Sequence, residues 1–181
     1  MKQLVILAAG ALLLLSSCRN SQMERINQLD VELKAALTTE AMMAAASEQL
    51  ELIDDELYYF PEMSDSLKMA LLVQGAKCGR ATHQGDFSIK FYETIIEDFP
   101  NHEFRPKAMF LAGFVAENDK NDLEKAAEFY DLLIEEYPDH ELAGQAIVLK
   151  EQLGIPLEEL IRTFEKNEEE SEDDTEVDFG E

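Results

Sequence analysis

The chain lacks tryptophan and is poor in cysteine, histidine and basic residues. Its 181 residues include two cysteines, three histidines, and 15 lysines and arginines against 39 aspartates and glutamates, for a formal net charge of −24. Proteins bind nucleic acid through basic surfaces that neutralise phosphates, so this charge excludes a nucleic-acid partner. The few cysteines and histidines form no cluster with the spacing of a zinc site. We therefore expect no metal and no cofactor.

Motifs of catalysis are missing as well. The sequence has no Gly-x-Ser-x-Gly elbow, no phosphate-binding loop and no glycine-rich dinucleotide turn. Residues 119–124 resemble the start of a calcium loop, but glycine is absent from the sixth place and Tyr130 occupies the twelfth, where calcium needs a bidentate glutamate. We predict an interhelix turn with a helix cap there, and a protein that is not an enzyme.

The first seventeen residues have the pattern of a secretory signal. Lys2 precedes an apolar or small run over residues 4–15, and the tetrapeptide Leu-Ser-Ser-Cys then ends at Cys18. The run is too short to cross the roughly 30 Å core of a bilayer as a helix. The tetrapeptide resembles the lipobox of bacterial lipoproteins, which implies cleavage before Cys18 and a diacylglyceryl group on its thiol. The alternative is an ordinary signal followed by a chance cysteine.

Lipid on Cys18 would leave Cys78 as the remaining cysteine. No intramolecular disulfide would then be possible, although secreted proteins meet an oxidising compartment. An isolated cysteine among apolar residues is usually a small buried hydrophobic side chain. We predict that role for Cys78.

The rest of the chain contains a repeated segment. Residues 91–103 read FYETIIEDFPNHE and residues 129–141 read FYDLLIEEYPDHE, an offset of 38 residues with seven of thirteen positions identical. Apolar residues recur at helical spacing within each unit, and a proline follows each second helix. The pattern predicts antiparallel helix pairs without strands, with helices near 22–37, 40–59, 64–83, 86–99, 103–118, 121–137, 140–153 and 156–168.

Two of the three histidines occupy the same repeat position. His102 and His140 each follow the proline by two residues and stand at the start of the next helix. Equivalent positions of a solenoid lie a whole repeat apart, which does not suit a shared metal ion. We predict that each side chain accepts a hydrogen bond from a backbone N–H at its helix start.

The spacing of small and aromatic residues resembles the tetratricopeptide repeat. The repeat ends, Phe/Tyr-Pro-Asn/Asp-His, are similar to those of bacterial outer-membrane lipoproteins with BamD-like or CpoB-like repeats. The resemblance implies an all-α solenoid of about four antiparallel helical hairpins. The residues expected to pack the repeats are Gly75, Tyr92, Pro100, Ala108, Gly113, Ala126, Tyr130 and Pro138.

The chain divides into four segments on these grounds. Residues 1–17 are the expected lipoprotein signal, 18–39 the lipidated amino terminus and first helix, and 40–168 the repeat domain. Residues 169–181 form an acidic tail, which we expect to be disordered because its like charges repel and it has little apolar surface to bury. A solubilising role is one reading of the tail. The other is binding of a basic partner or divalent cations, with Phe179 as an anchor.

The family resemblance implies a protein-interaction scaffold in the cell envelope. We expect a protein held by its lipid on the outer membrane, facing the periplasm, with other envelope proteins as partners and outer-membrane protein assembly as a possible role. The alternatives are an accessory to a cell-wall or Tol-Pal type machine, and a ligand-capture lipoprotein for nutrient uptake. Helix register suggests Lys107, Phe110 and Phe114 as the partner-binding residues.

Overall fold

A computed structural model describes residues 2–156, 158–159 and 161–162, with side chains from Arg19 onward. Over these residues the chain forms seven α-helices and no strand. Each helix packs against the next in sequence, and α5 also contacts α7. This confirms the predicted all-α solenoid of hairpins, with helices α1 (Lys2–Ala35), α2 (Thr39–Tyr59), α3 (Asp65–Ala81), α4 (Gly85–Asp98), α5 (Arg105–Asn118), α6 (Leu123–Glu136) and α7 (Glu141–Gln152).

None of the helices in the described ranges carries an apolar stretch long enough to cross a membrane.

The ends of the chain differ from the expected helix bounds. The first helix was expected from residue 22 but begins at Lys2, because leucine and alanine favour helix and no proline interrupts residues 2–35. At the other end, residues 158–159 and 161–162 are helical. The remainder of the predicted eighth helix and the whole acidic tail, including Phe179, lie outside the described residues.

The links between helices use short polar side chains and left-handed backbone. Asp122 caps α6 by accepting a hydrogen bond from the Lys125 backbone N–H at 3.1 Å, which confirms the predicted interhelix turn and cap. His83 and Asn121 both have positive φ, 57° and 53°. They stand 38 residues apart, so the same left-handed turn joins α3 to α4 and α5 to α6.

The hairpins pack through glycines that face aromatic rings. A Cβ on Gly75 would lie 2.7 Å from Cε2 of Phe91, and one on Gly113 would lie 2.5 Å from Cε1 of Tyr130. Both distances are shorter than carbon atoms can approach, so only glycine lets the two helices of each hairpin come this close. Tyr130 is fully buried.

Other predicted packing residues divide into two groups. Tyr92, Ala108 and Ala126 are buried in the core. Pro100 and Pro138 are exposed. They follow the ends of α4 and α6, where proline prevents the helix from continuing, and so they set the chain direction.

Arg105 joins the hairpin of α5 and α6 to the end of α4. Its Nε donates to the Ile96 carbonyl at 2.9 Å, and its guanidinium donates to the Tyr137 hydroxyl at 2.9 Å and pairs with Glu136. The hydrogen bond from Arg105 lowers the pKa of Glu136. The Arg105 side chain is only 12 % exposed, so these contacts hold α4, α5 and the end of α6 in one arrangement.

Candidate interaction groove

A groove lies between α1, α3 and the start of α5. It forms an open cavity of about 440 Å³. A second cavity of about 540 Å³ shares Ser66, Met69 and His102 with the first, and extends it along the loop between α4 and α5. The first cavity is lined by Asn27, Asp30, Ser66, Met69, Ala70, Val73, Gln74, Lys77, His102 and Phe104.

The third helix supplies most of the groove because one of its faces is left open. Its lining residues fall at positions 66, 69, 70, 73, 74 and 77, which is the spacing of a single helical face. Met69 is 8 % exposed and forms part of the floor, while Val73 and Phe104 are half-buried. The groove therefore offers an apolar floor with polar groups around it.

His102 has the structural role predicted from its repeat position. Its Nδ1 accepts a hydrogen bond from the Phe104 backbone N–H at 3.1 Å, and its ring meets the Phe99 ring edge-on at 6.3 Å between centroids. His140 does the same in the next repeat, where Nδ1 accepts from the Leu142 N–H at 3.1 Å and caps α7. These bonds confirm the prediction, and they place His102 at the rim of the groove.

The groove lining contains one lysine, Lys77, together with Asp30, and a second lysine, Lys107, lies beside the groove. Among the lysines whose side chains the structure describes, Lys77 and Lys107 are the two that make no ion pair. Lys77 lines the groove. Lys107 lies with its Nζ 5.6 Å from the centre of the Phe104 ring, at the edge of the groove. Within the part of the chain that the structure describes, these two ammonium groups therefore have no carboxylate partner.

The three residues suggested for partner binding do not lie together in this groove. Lys107 is exposed beside it. Phe110 is half-buried against Tyr130, with 6.1 Å between ring centroids, and Phe114 lies under the Arg80 guanidinium at 5.0 Å. Both rings pack against neighbouring helices, so we place them in the hairpin packing and not in the groove.

Met69, Val73 and Lys77, which line the groove, were not among the residues predicted from the sequence. The repeat itself carried a signal for them, because residue 69 lies 38 positions before Lys107. Lys107 is the suggested partner-binding residue that is exposed in the structure. Counting 38 residues back from it leads to Met69 on the open face of α3. The helical spacing of that face then identifies its other members.

Cys78 is buried next to a polar partner and is not positioned as a nucleophile. It is 3 % exposed, and its Sγ donates to Oε1 of Gln49 at 3.0 Å. Burial raises the pKa of the Cys78 thiol to about 11. A thiol in this state carries little thiolate near neutral pH, and the predicted role as a small buried side chain is confirmed.

This burial predicts a slow thiol reaction. In a Cys18→Ala form, where Cys78 is the remaining thiol, we expect labelling by a disulfide reagent at pH 8 to be at least about a hundredfold slower in the folded protein than in urea. The reason is the raised pKa together with the closed site. A rate in the folded state close to that of the unfolded chain would show that the Cys78 site opens readily.

No group of three or more histidine, cysteine or acidic side chains within the described part of the chain could hold a metal ion.

Comparison with protein families gives one match. The model of a tetratricopeptide repeat family matches residues 107–140, which run from the first turn of α5 through α6 to the cap of α7. A search of curated proteins found none that matches the chain. The chain therefore contains repeats of the tetratricopeptide type, a kind of module that generally binds proteins.

Proposed function

We propose that this protein is a lipid-anchored scaffold of the bacterial cell envelope that binds a segment of another protein in the groove between α1, α3 and α5. The observation that carries the proposal is the groove itself. It combines an apolar floor at Met69 and Val73 with Lys77 in its lining and Lys107 beside it, neither of which makes an ion pair in the described structure. Stacked helical repeats use such open faces to bind peptides and domains.

The chemistry of the groove indicates the kind of segment that fits. Met69, Val73 and Phe104 can bury an apolar side chain of the partner, and burial of apolar surface is the main source of affinity. Lys77 and Lys107 can pair with a carboxylate or donate to backbone carbonyls. A segment with an apolar residue next to an acidic one therefore suits the groove best.

The anchor and the location are part of the same proposal. The lipobox ending at Cys18 supports attachment to a membrane by acyl chains, and two or more chains are needed to hold a protein firmly. Arg19 follows Cys18, and the resemblance to bacterial lipoproteins, in which aspartate at this place favours the inner membrane, implies delivery to the outer membrane. Outer-membrane protein assembly is then the first process in which to look for a partner, with a cell-wall machine as the alternative.

Site-specific photocrosslinking in cells tests the groove. A photoreactive residue at Val73 should capture a discrete envelope protein, because that position faces the groove. The matched control carries the same residue at Glu128, which is exposed on α6 away from the groove. Replacing both Lys77 and Lys107 with glutamate should reduce the Val73 product by about tenfold, since each surface charge contact contributes up to about 1 kcal/mol and the reversal adds repulsion.

The outcome decides between scaffold and ligand capture. A crosslinked protein at Val73 and not at Glu128 supports the proposal, and its identity assigns the process. If Val73 gives no protein product in intact envelopes, or gives the same products as Glu128, the groove is not a protein-binding site.

A further inference from the structure

An aromatic pair is exposed at the end of α2. Tyr58 is 77 % exposed and Tyr59 is 66 % exposed, and their rings meet edge-on with 5.0 Å between centroids. Phe60 and Pro61 follow directly, where α2 ends and the chain turns toward α3. Exposed tyrosines of this kind are typical of membrane interfaces, where the ring contacts the apolar boundary and the hydroxyl stays hydrated.

The amino-terminal end of the expected mature chain is fixed to the same place. Arg19 donates from Nε to Oε1 of Glu56 at 2.8 Å, and its guanidinium lies 4.7 Å from the centre of the Phe60 ring. One turn further, Gln22 donates to the Leu52 carbonyl at 3.0 Å. Since Glu56 is fully buried, Arg19 is held against the body of the first hairpin and does not hang on a flexible linker.

Cys18 directly precedes Arg19 within α1. Successive residues of a helix are about 1.5 Å apart along its axis, so the Cys18 backbone lies at the same level of α1 as the Arg19–Glu56 contact. That contact and the two tyrosines belong to the same end of the α1–α2 hairpin. The opposite end is the turn at Leu37, which is 98 % exposed.

We propose that the end of the first hairpin formed by Arg19, Tyr58, Tyr59 and Phe60 is a membrane-contact surface, with the tyrosine rings seated among lipid headgroups. The inference rests on the lipid attachment to Cys18 proposed above. Acyl chains inserted from Cys18 bring this end to the bilayer, and the absence of a linker keeps it there. The rest of the solenoid then extends away from the membrane.

The charges around this surface define the lipid it contacts. Asp55 and Glu62 are exposed on either side of the tyrosines, and the whole chain is acidic. Anionic headgroups would repel these carboxylates. The surface therefore contacts zwitterionic lipid, with aromatic burial and not charge as the source of binding.

Tryptophan fluorescence in brominated lipid tests the orientation. The chain contains no tryptophan, so Tyr59→Trp and Leu37→Trp each introduce a single fluorophore at opposite ends of the first hairpin. Each lipidated full-length mature variant is purified from membranes and placed in phosphatidylcholine vesicles with or without bromine on the acyl chains. We expect bromine to remove most of the emission of Tyr59→Trp and to leave that of Leu37→Trp unchanged.

Two controls make the result decisive. Circular dichroism checks that both exposed substitutions leave the helices intact. Flotation with the vesicles and the mass of the amino-terminal peptide check the lipid on Cys18. If the protein floats and carries lipid but the two variants are quenched equally, or neither is quenched, the contact surface is wrong while the anchor stands. If no lipid is found, the anchor and the inference fail together.

Discussion

Replacing Tyr130 with alanine should lower the free energy of unfolding by about 4 kcal/mol, as expected for truncating a large aromatic side chain in a core. Tyr130 is fully buried, it touches Gly113, and its hydroxyl donates to Oε2 of Glu117 at 2.9 Å. The Tyr130→Phe variant keeps the ring and loses only that hydrogen bond, so it should cost about 1 kcal/mol. Urea unfolding of a form that begins at Arg19, followed by circular dichroism, measures both.

The contact between Gly113 and Tyr130 gives a sharper test through a double-mutant cycle. Gly113→Ala alone should destabilise the protein by about 2 kcal/mol, because its Cβ would overlap the ring. With alanine at position 130 the overlap is gone, and Gly113→Ala should then be neutral or stabilise by up to about 1 kcal/mol through helix propensity. Additive costs in the double variant would show that the ring is not what requires glycine at position 113.

The second large effect is expected at the Arg19–Glu56 pair. Glu56 is fully buried, and its Oε2 has no hydrogen-bond partner within the described structure. Arg19→Ala would leave this carboxylate without its counter-ion, and we expect a loss of about 3 kcal/mol. A second signature is local: amide hydrogens of the first turns after Arg19 should exchange much faster, because α1 loses its contact with the end of α2.

The matched control removes both charges. A variant with Arg19→Met and Glu56→Leu contains no unpaired buried charge and should recover most of the stability lost by Arg19→Ala. Equal stability of Arg19→Ala and the unsubstituted protein, with unchanged exchange in α1, would contradict the role assigned to this pair.

The fold was largely predictable because the repeat fixes both the helices and their spacing. The offset of 38 residues located the hairpins, the prolines marked the helix ends, and the position of His102 and His140 predicted their capping bonds. The helix ends and the capping bonds are local features, set by residues a few positions apart, and the repeat offset transfers them from one unit to the next. Local rules therefore sufficed for the architecture.

The groove was harder to predict because a solenoid helix packs on more than one side. Phe110 and Phe114 share a helical face near Lys107. In the structure, however, the Phe110 ring packs against Tyr130 and the Phe114 ring packs against the Arg80 guanidinium. Periodicity cannot tell which apolar face is packed and which is left open. The Arg19–Glu56 contact joins residues 37 positions apart and depends on how α1 lies on α2, which no sequence pattern specified.

The rigid first helix sets how far from the bilayer the protein can act, if lipid is attached at Cys18. Asp30, in the near wall of the groove, follows Cys18 by twelve residues of one continuous helix, which corresponds to about 18 Å along the axis. A protein on a long tether could search a wide volume, whereas one anchored in this way would sample a thin layer next to the headgroups. Its clients would have to be membrane-embedded proteins with short protruding segments, or soluble proteins already delivered to that surface.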